Sequence, residues 1–455
     1  MNKTLINFLA GYLLLFVLAS LFTYPAWDDF ATSVYVITKG FWGSQVWLYY
    51  QWTGRFTPMF LMSLLPWMLR SATWAYQLIS TLMILGFFLT SSFALRTFFP
   101  ERKLSEIYPW AMLFTAFYSV SAYSIVQAWY WYTATITYTL SILFTSLAIG
   151  VLKKQLAKVT WPGQILLFFL ATVINGSNEI TVFLWNLLLL SVIAFHLLRK
   201  KPVPIFLWAL FGFSIMVGLF VVLAPGNFYR ASQFEKSGRV GRTVGNGFLH
   251  VPLYSIKFLS FPIIVTLLAY YQEMIEFVRP YFTGVDEKKQ KYFLGAIWFA
   301  LFFVTTAMSF WAQGRRPVSR ALNVIQYHYF IFLPFAVYFL SLVFKNRNYA
   351  WVQKTRVFVR RNFTVLLIVS FLPHENTWRL VQDYSGPFWE WKKAWDGRLH
   401  TLQNSKGKDI VLEHGTFKPY TTGFKDLRGV SIEHMRLIYG TRSLSIRGEP
   451  LPVDY

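Results

Sequence analysis

The chain contains no cysteine, which excludes disulfide bonds, thiolate metal sites and cysteine nucleophiles. Charged side chains are also scarce, at 14% of 455 residues, whereas a soluble globular chain carries about 25%. No HExxH, Walker A, GxGxxG or GxSxG context occurs, so zinc proteases, P-loop nucleotide hydrolases, dinucleotide-binding proteins and serine hydrolases have no support.

Apolar residues are abundant instead, at 55% of the chain, and aromatic residues make up 20%. Long apolar runs separated by short charged gaps predict an all-α polytopic membrane protein. A helix needs about 20 residues to cross the hydrocarbon, and we predict about eleven transmembrane helices. They lie near 5–24, 72–98, 107–126, 131–152, 162–176, 180–198, 204–224, 250–272, 292–312, 323–344 and 358–373.

The distribution of positive charge favours one orientation. Lys and Arg number 43 against 20 Asp and Glu, a net charge of +23. With the N-terminus inside, twenty of the 43 fall on the inner side of the predicted spans and ten on the outer side. Lys and Arg accumulate in cytoplasmic loops. The bias supports this orientation and explains much of the net charge without a nucleic-acid partner.

Two segments outside the spans have their own character. Residues 27–70, the first outer loop, carry aromatic residues at helical spacing and predict interfacial amphipathic helices. Residues 375–455 predict a small α+β extracytoplasmic domain with a strand at 409–412 and turns at Gly415, Gly423 and Gly429, beside a membrane domain of residues 1–374. If the weakly apolar last span does not cross, this tail lies in the cytoplasm instead.

Carboxylates on the predicted outer side are few. Before the tail they are Asp28, Asp29, Glu179 and Glu235. Adjacent acids just past a span are costly near lipid and usually line a wet functional cavity. We therefore predict that Asp28 and Asp29 are catalytic; the structural alternative is that they cap the helix that follows.

Arginine dominates the positive charges on the same side, by eight to two over lysine. The planar guanidinium matches phosphate oxygens, so these residues predict a phosphate site. The candidates, drawn from three distant loops, are Arg55, Arg230, Arg239, Arg242 and Arg316. The alternative for any one of them is contact with anionic lipid headgroups.

Other polar and aromatic residues near these loops are candidates for substrate binding. Glu179 at membrane depth requires a partner, either an arginine or a hydroxylated ligand. A structural alternative, a helix cap with an ion pair, applies to it, and His250 has the alternative of a satisfied core histidine. The predicted substrate-binding residues are Trp27, Trp52, Asn178, Glu179, Asn227 and His250.

The order of short motifs resembles a known family. The motifs are Asp28-Asp29-Phe30, Trp52-x-Gly54-Arg55, Asn178-Glu179 and Pro225-Gly226-Asn227-x-x-Arg230. This series, with a first span, an outer acidic loop and many later spans, is similar to a largely uncharacterised bacterial branch of the GT-C superfamily. These are membrane glycosyltransferases that use polyprenyl-phosphate-linked sugars.

The resemblance implies an inverting glycosyltransferase of the bacterial cytoplasmic membrane with its active site on the outer face. An Asp of the first outer loop, with Asp28 preferred, would be the general base. The implied partners are a polyprenyl-phosphate-sugar donor, a glycan or glycolipid acceptor and the lipid bilayer. A divalent cation, Mg or Mn, is possible, but the sequence shows no further ligands for it. The alternatives are a lipid-linked-glycan flippase and a non-catalytic scaffold.

Overall fold

The structure is a computed structural model that describes residues 1–344, 350–412, 419–423 and 429–447. This part of the chain is almost entirely helical. The α-helices are α1 Lys3–Ala19, α2 Asp28–Gln51, α3 Phe56–Met62, α4 Leu65–Ser71, α5 Trp74–Phe98, α6 Leu104–Ser121, α7 Tyr132–Ala134, α8 Leu140–Ala157, α9 Trp161–Asn175, α10 Glu179–Leu198, α11 Ile205–Val222, α12 Pro225–Ser232, α13 Val240–Lys257, α14 Phe261–Val278, α15 Glu287–Gln313, α16 Ser319–Val343, α17 Ala350–Arg361, α18 Phe363–Phe371, α19 Glu375–Tyr384, α20 Pro387–Gln403 and α21 Gly429–Tyr439. Two π-helical segments, Val126–Tyr130 and Thr135–Thr139, flank α7, and two 3-10 segments occupy Ser20–Phe22 and Arg279–Phe282.

Eight helical segments within the described residues are long and apolar enough to cross a membrane, so the chain is a multi-pass membrane protein. They are Lys3–Phe22, Trp74–Phe98, Tyr132–Ala157, Glu179–Leu198, Ile205–Val222, Phe261–Phe282, Glu287–Gln313 and Ser319–Val343. Seven of them match predicted spans closely. The predicted spans 107–126 and 162–176 correspond to α6, which contains Pro109, and to α9, which has 15 residues.

The predicted span 250–272 is wrong as a single helix. The structure ends α13 at Lys257 and begins α14 at Phe261, with Pro262 in its first turn. Proline has no backbone N–H to donate and is favoured at a helix start. The apolar run therefore belongs to two helices, which hydropathy alone does not separate.

The predicted last span, 358–373, is also not one transmembrane helix. Asn362 separates α17 from α18, and α18 has nine residues. At about 1.5 Å per residue it is roughly 14 Å long, which is too short to cross alone. The helices from α18 onward nevertheless pack along α1 and the segment that follows it. Phe371 packs edge-on against Tyr12, and Phe388 stacks on Phe22 with ring centroids 4.5 Å apart.

The first loop folds as three helices, α2, α3 and α4, between the first and second spans. The backbone of α2 is kinked at Gly40, whose φ of 71° lies in the left-handed region that glycine tolerates. Aromatic side chains such as Trp42 and Trp67 are exposed along these helices. The segment is helical, as the aromatic spacing predicts, but it forms three helices where the pattern predicts one or two.

The tail shares one hydrophobic core with the first span and the first loop. Trp395 stacks on Tyr24 with ring centroids 5.6 Å apart, and the Tyr24 hydroxyl donates to Asp396 at 2.8 Å. The Tyr439 hydroxyl donates to the carbonyl oxygen of Leu69. The predicted strand at 409–412 is present as β1 Asp409–Leu412, which pairs in parallel with β2 Ser443–Ile446. Gly415 lies outside the described residues.

The two ends of the helix bundle differ in charge. Lys153 lies over the rings of Phe98 and Tyr281, so three predicted inner loops meet at one end, which we call the basic end. At the opposite end, the motif end, Arg55, Glu179 and Arg230 meet. The tail contacts the first loop at the motif end.

We expect cysteine labelling to reveal this arrangement, because the chain has no native cysteine. With a membrane-impermeant maleimide on intact cells, Lys39→Cys in the first loop and Lys406→Cys in the tail should label alike. Lys201→Cys at the basic end should label only after permeabilisation. All three positions are exposed. Labelling of Lys406→Cys in the pattern of Lys201→Cys would contradict the tail packing.

Candidate functional site

Two motifs at the motif end interlock through glycine. A Cβ on Gly226 would lie 2.4 Å from the backbone nitrogen of Trp52, and a Cβ on Gly54 would lie 2.3 Å from the carbonyl oxygen of Val221. Contacts this short leave no room for a side chain at either position. The backbones of Trp52-x-Gly54-Arg55 and Pro225-Gly226-Asn227 therefore touch directly.

A third motif joins this contact. The N–H of Thr57 donates to the carbonyl oxygen of Gly176 at 3.1 Å. Asn178 is fully buried and caps α10, because its side-chain oxygen accepts from the N–H of Thr181 at 3.0 Å and its amide donates to the carbonyl of Thr137. Glu179, the first residue of α10, is thereby fixed in position beside the other two motifs.

Glu179 binds both arginines. Arg55 donates to its two carboxylate oxygens, with Nη2 at 2.6 Å from Oε2 and Nε at 3.2 Å from Oε1. Arg230 donates from Nη2 to Oε1 at 3.3 Å. The side chains are only 15%, 18% and 15% exposed for Arg55, Glu179 and Arg230. Two guanidinium groups and one carboxylate leave a partly buried net positive charge, which suits an anion.

Neighbouring residues hold Arg230 in this orientation. The side-chain oxygen of Asn227 accepts from Arg230 Nη2 at 3.2 Å, and its amide donates to the carbonyl of Val221 at 2.7 Å. The guanidinium carbon of Arg230 lies 5.8 Å from the ring centroid of Trp52. Asn178 and Asn227 thus position charged groups in the structure, and binding of substrate by either stays a prediction.

The two aspartates of the first loop have different surroundings. Asp29 is fully buried; its Oδ2 accepts from the N–H of Ala26 at 2.8 Å, and its Oδ1 accepts from the hydroxyl of Thr133 at 2.5 Å. Burial raises the pKa of Asp29, and the Thr133 and Ala26 hydrogen bonds oppose that rise. No side chain in the described part of the chain caps α2, so the structural alternative does not hold as a helix cap; Asp29 instead ties the start of α2 to the segment around α7.

Asp28 is only partly buried, and the charge of Arg320, a residue outside the predicted site, acts on it. Burial raises the pKa of Asp28, and the nearby charge of Arg320 opposes the rise. Arg320 lies in the first turn of α16, where its N–H donates to the side-chain oxygen of Gln127 at 3.1 Å. Its signal in the sequence is that Arg320 is one of the ten Lys and Arg residues on the predicted outer side.

Tyr138 connects the aspartate side of the site to the arginine side. The guanidinium carbons of Arg55 and Arg320 each lie 5.7 Å from the centroid of its ring. Arg55 also donates to the Tyr138 hydroxyl at 3.3 Å. Ring contacts and hydrogen bonds therefore connect Arg320, Tyr138, Arg55 and Glu179 in one series, and the charge of Arg320 acts on Asp28 beside it.

The remaining predicted phosphate ligands lie in a different place. Arg239 and Arg242 lie at the start of α13 and Arg316 follows α15, and all three are exposed; the N–H of Gly238 donates to the carbonyl of Trp311 at 2.9 Å between these two segments. Arg242 lies over the ring of Phe310 at 6.0 Å. Their part in phosphate binding stays a prediction.

The other predicted substrate-binding residues differ in exposure. Nδ1 of the buried His250 lies 2.7 Å from the carbonyl oxygen of Asn246, and its ring packs against Phe310. These contacts fit its structural alternative. Trp27 and Trp52 are 48% and 45% exposed beside Asp28 and Arg230, so a ligand has access to both rings.

The site offers few ligands for a metal ion. Within the described ranges, no group of three or more His, Asp or Glu side chains is arranged to hold one. Both oxygens of Asp29 already accept hydrogen bonds, and Asp28 faces a guanidinium. A divalent cation would need oxygens from a bound phosphate to complete its coordination, so metal dependence stays open.

All four motifs behind the GT-C resemblance converge at the motif end. The chain matches no known family model, and no curated protein or solved structure matches it. Membership of the GT-C superfamily therefore remains a prediction that rests on the motifs.

We expect Gly226→Ala to destabilise the protein, because its Cβ would meet the Trp52 backbone, which cannot move aside as a flexible side chain does. Overpacking of this kind costs about 1–3 kcal/mol. The apparent melting temperature in detergent should fall. Gly212→Ala is the matched control, since a Cβ at Gly212 meets nothing within 4 Å. Equal melting temperatures for the two variants would contradict the interlocked backbones.

Replacing Glu179 by Gln should be more damaging. The change leaves Arg55 and Arg230 facing each other in a partly buried site, and breaking such a pair costs about 3 kcal/mol. Glu273→Gln is the control, because Glu273 also binds two arginines, Arg356 and Arg360, but is 36% exposed. We expect a thermal shift at least twice as large for Glu179→Gln; a larger shift for the control would overturn this assignment.

Proposed function

We propose that this protein is an inverting glycosyltransferase that moves a sugar from a polyprenyl-phosphate donor to a hydroxyl acceptor. The observation that carries the proposal is the continuous series of charged groups at the motif end. A carboxylate capable of accepting a proton and a cationic pair suited to phosphate lie at opposite ends of one cluster, connected by Arg320 and Tyr138.

Asp28 would be the general base. It is partly accessible, and its carboxylate is opposed by a guanidinium rather than tied to the backbone as in Asp29. Burial raises the pKa of Asp28 toward the working pH, where a base is most effective. Deprotonation of the acceptor hydroxyl as it attacks the anomeric carbon would give inversion. Asp29 would be a positioning residue, because it holds the backbone next to Asp28.

Arg55 and Arg230 would bind the donor phosphate. As the bond between the anomeric carbon and the phosphate oxygen breaks, negative charge grows on the leaving phosphate. Guanidinium groups already held in place by Glu179 stabilise that charge without having to reorganise. The exposed rings of Trp27 and Trp52 would offer apolar faces to sugar rings.

The location would be the bacterial cytoplasmic membrane, with the motif end on the outer face. The accumulation of Lys and Arg at the basic end supports this orientation. The acceptor would be a glycan or glycolipid hydroxyl that reaches the first loop and the tail packed against it.

The direct test uses purified protein in liposomes with a panel of polyprenyl-phosphate sugars, and follows the release of polyprenyl phosphate in the presence of candidate acceptors. We expect Asp28→Asn to lower the rate by about 10²- to 10⁴-fold, the usual contribution of a general base. Its melting temperature should match that of the wild type. The control is Glu235→Gln, which removes an exposed carboxylate beyond α12.

Two results would contradict the proposal. One is release by Asp28→Asn at the wild-type rate with every donor that the wild type uses. The other is the failure of the wild type to release polyprenyl phosphate from any donor in the panel.

A flippase is the alternative function. Transporters interrupt their helices near the bilayer midplane, whereas the break between α13 and α14 lies at Ser260, whose hydroxyl is 2.6 Å from that of Ser121 at the end of α6. Movement of a lipid-linked glycan needs no base, so a flippase carrying Asp28→Asn should still translocate a labelled lipid in the same liposomes. Translocation by both proteins without sugar transfer would favour the flippase.

A further inference from the structure

A cavity of about 480 Å³ lies between two helices at the basic end, away from the motif end. Its walls are mostly apolar, with Gln164 as the polar exception, and come from the first halves of α9 and α11: Trp161, Ile165 and Phe168 on one side, Ile205 and Phe206 on the other. Trp161 is 73% exposed and Ile205 is 84% exposed. In a membrane protein such a groove faces lipid rather than water.

Basic loops flank both sides of this cavity. The α8–α9 connection brings Lys158 to within three residues of Trp161, and the α10–α11 connection brings Lys200 and Lys201 to within five residues of Ile205. All three lysines are exposed. Between Glu106 and Glu235 the sequence contains one acid, Glu179, and that residue lies at the motif end. No carboxylate on either loop neutralises these lysines.

The lysines of the second loop are held in a defined place. Lys200 has a φ of 53°, which is uncommon for a residue with a side chain. The N–H of Lys200 donates to the carbonyl of Leu197 and that of Lys201 to the carbonyl of His196, both at 2.9 Å. These bonds close the end of α10 and direct the chain toward the start of α11.

The short length of α9 opens this end of the groove. With 15 residues it is about 22 Å long, less than the roughly 30 Å hydrocarbon thickness. A short helix draws its flanking residues toward the membrane. The N-termini of α9 and α11 also place the positive ends of two helix dipoles at this end.

We propose that this groove is a binding site for an anionic phospholipid. One acyl chain would occupy the apolar cavity, and the phosphate would lie between Lys158 and Lys200–Lys201. Basic pockets between transmembrane helices on the cytoplasmic side have this chemistry. The site is separate from the proposed glycosyl-transfer site, so either proposal can fail without the other.

The test is native mass spectrometry of the purified protein with added phosphatidylglycerol, compared with phosphatidylcholine. We expect one retained phosphatidylglycerol on the wild type. The double variant Lys158→Gln/Lys201→Gln should weaken its binding about tenfold, because each basic residue near a membrane surface contributes appreciably to headgroup attraction. Ala209→Trp, which fills a wall of the cavity, should lower binding of both lipids without changing charge.

The matched control is Lys288→Gln/Lys289→Gln, which removes two exposed lysines from another loop of the predicted inner side. It should leave the retained lipid in place. If the control lost as much bound phosphatidylglycerol as the double variant, the effect would come from overall charge, and the proposed site would be wrong. Full displacement of the lipid by soluble glycerol phosphate would also contradict the proposal, because glycerol phosphate has no acyl chain to occupy the cavity. Unchanged lipid binding by Ala209→Trp would contradict it as well.

Discussion

The motif end depends on one carboxylate that binds two guanidinium groups. Glu179 lies at the start of α10, Arg55 comes from the first loop and Arg230 from α12, so a single ion triad joins three segments that are distant in sequence. Because these groups are mostly shielded from water, each one requires the others. The triad still carries a net positive charge, and this excess makes the same interaction useful for binding an anion as well as for holding the fold together.

The close approach of backbones makes this triad possible. Gly54 and Gly226 allow the first loop and the α11–α12 turn to touch, which brings Arg55 and Arg230 to the same carboxylate. Asp29 also connects distant segments, on the other side of the site, where it joins the start of α2 to Thr133. Neighbours in the sequence therefore have different roles. Asp29 is buried and holds the site together, whereas Asp28 and Trp27 stay accessible to a ligand.

The tail is also held in place by contacts between segments that are distant in sequence. From α18 to α20 the chain follows α1, with Phe371 against Phe8 and Phe388 against Phe22, and it then stacks Trp395 on Tyr24 beside the first loop. The opposite end of the bundle is built differently, from lysines over aromatic rings and an apolar groove between short helix ends. The basic end also contains ion pairs, such as those of Glu273 with Arg356 and Arg360, but its Lys and Arg outnumber its acids, as expected at the cytoplasmic face of a membrane.

The sequence by itself determined the membrane class, seven of the spans and the strand at 409–412, because apolar runs and charge bias are local properties. It also indicated Arg55 and Arg230, because a guanidinium matches phosphate oxygens, and Glu179, because an acid at membrane depth needs a partner. Only the tertiary structure decided which residues meet. The charge of Arg320, which is outside the predicted site, acts on Asp28, and both carboxylate oxygens of Asp29 accept hydrogen bonds, from Ala26 and Thr133. The stretches 250–272 and 358–373, each predicted as one span, are divided between two helices in the structure. The divisions lie near Pro262 and at Asn362, and mean hydropathy does not reveal them. Pairings of this kind arise from the packing of distant segments, and hydropathy and charge counted along the chain do not contain that information.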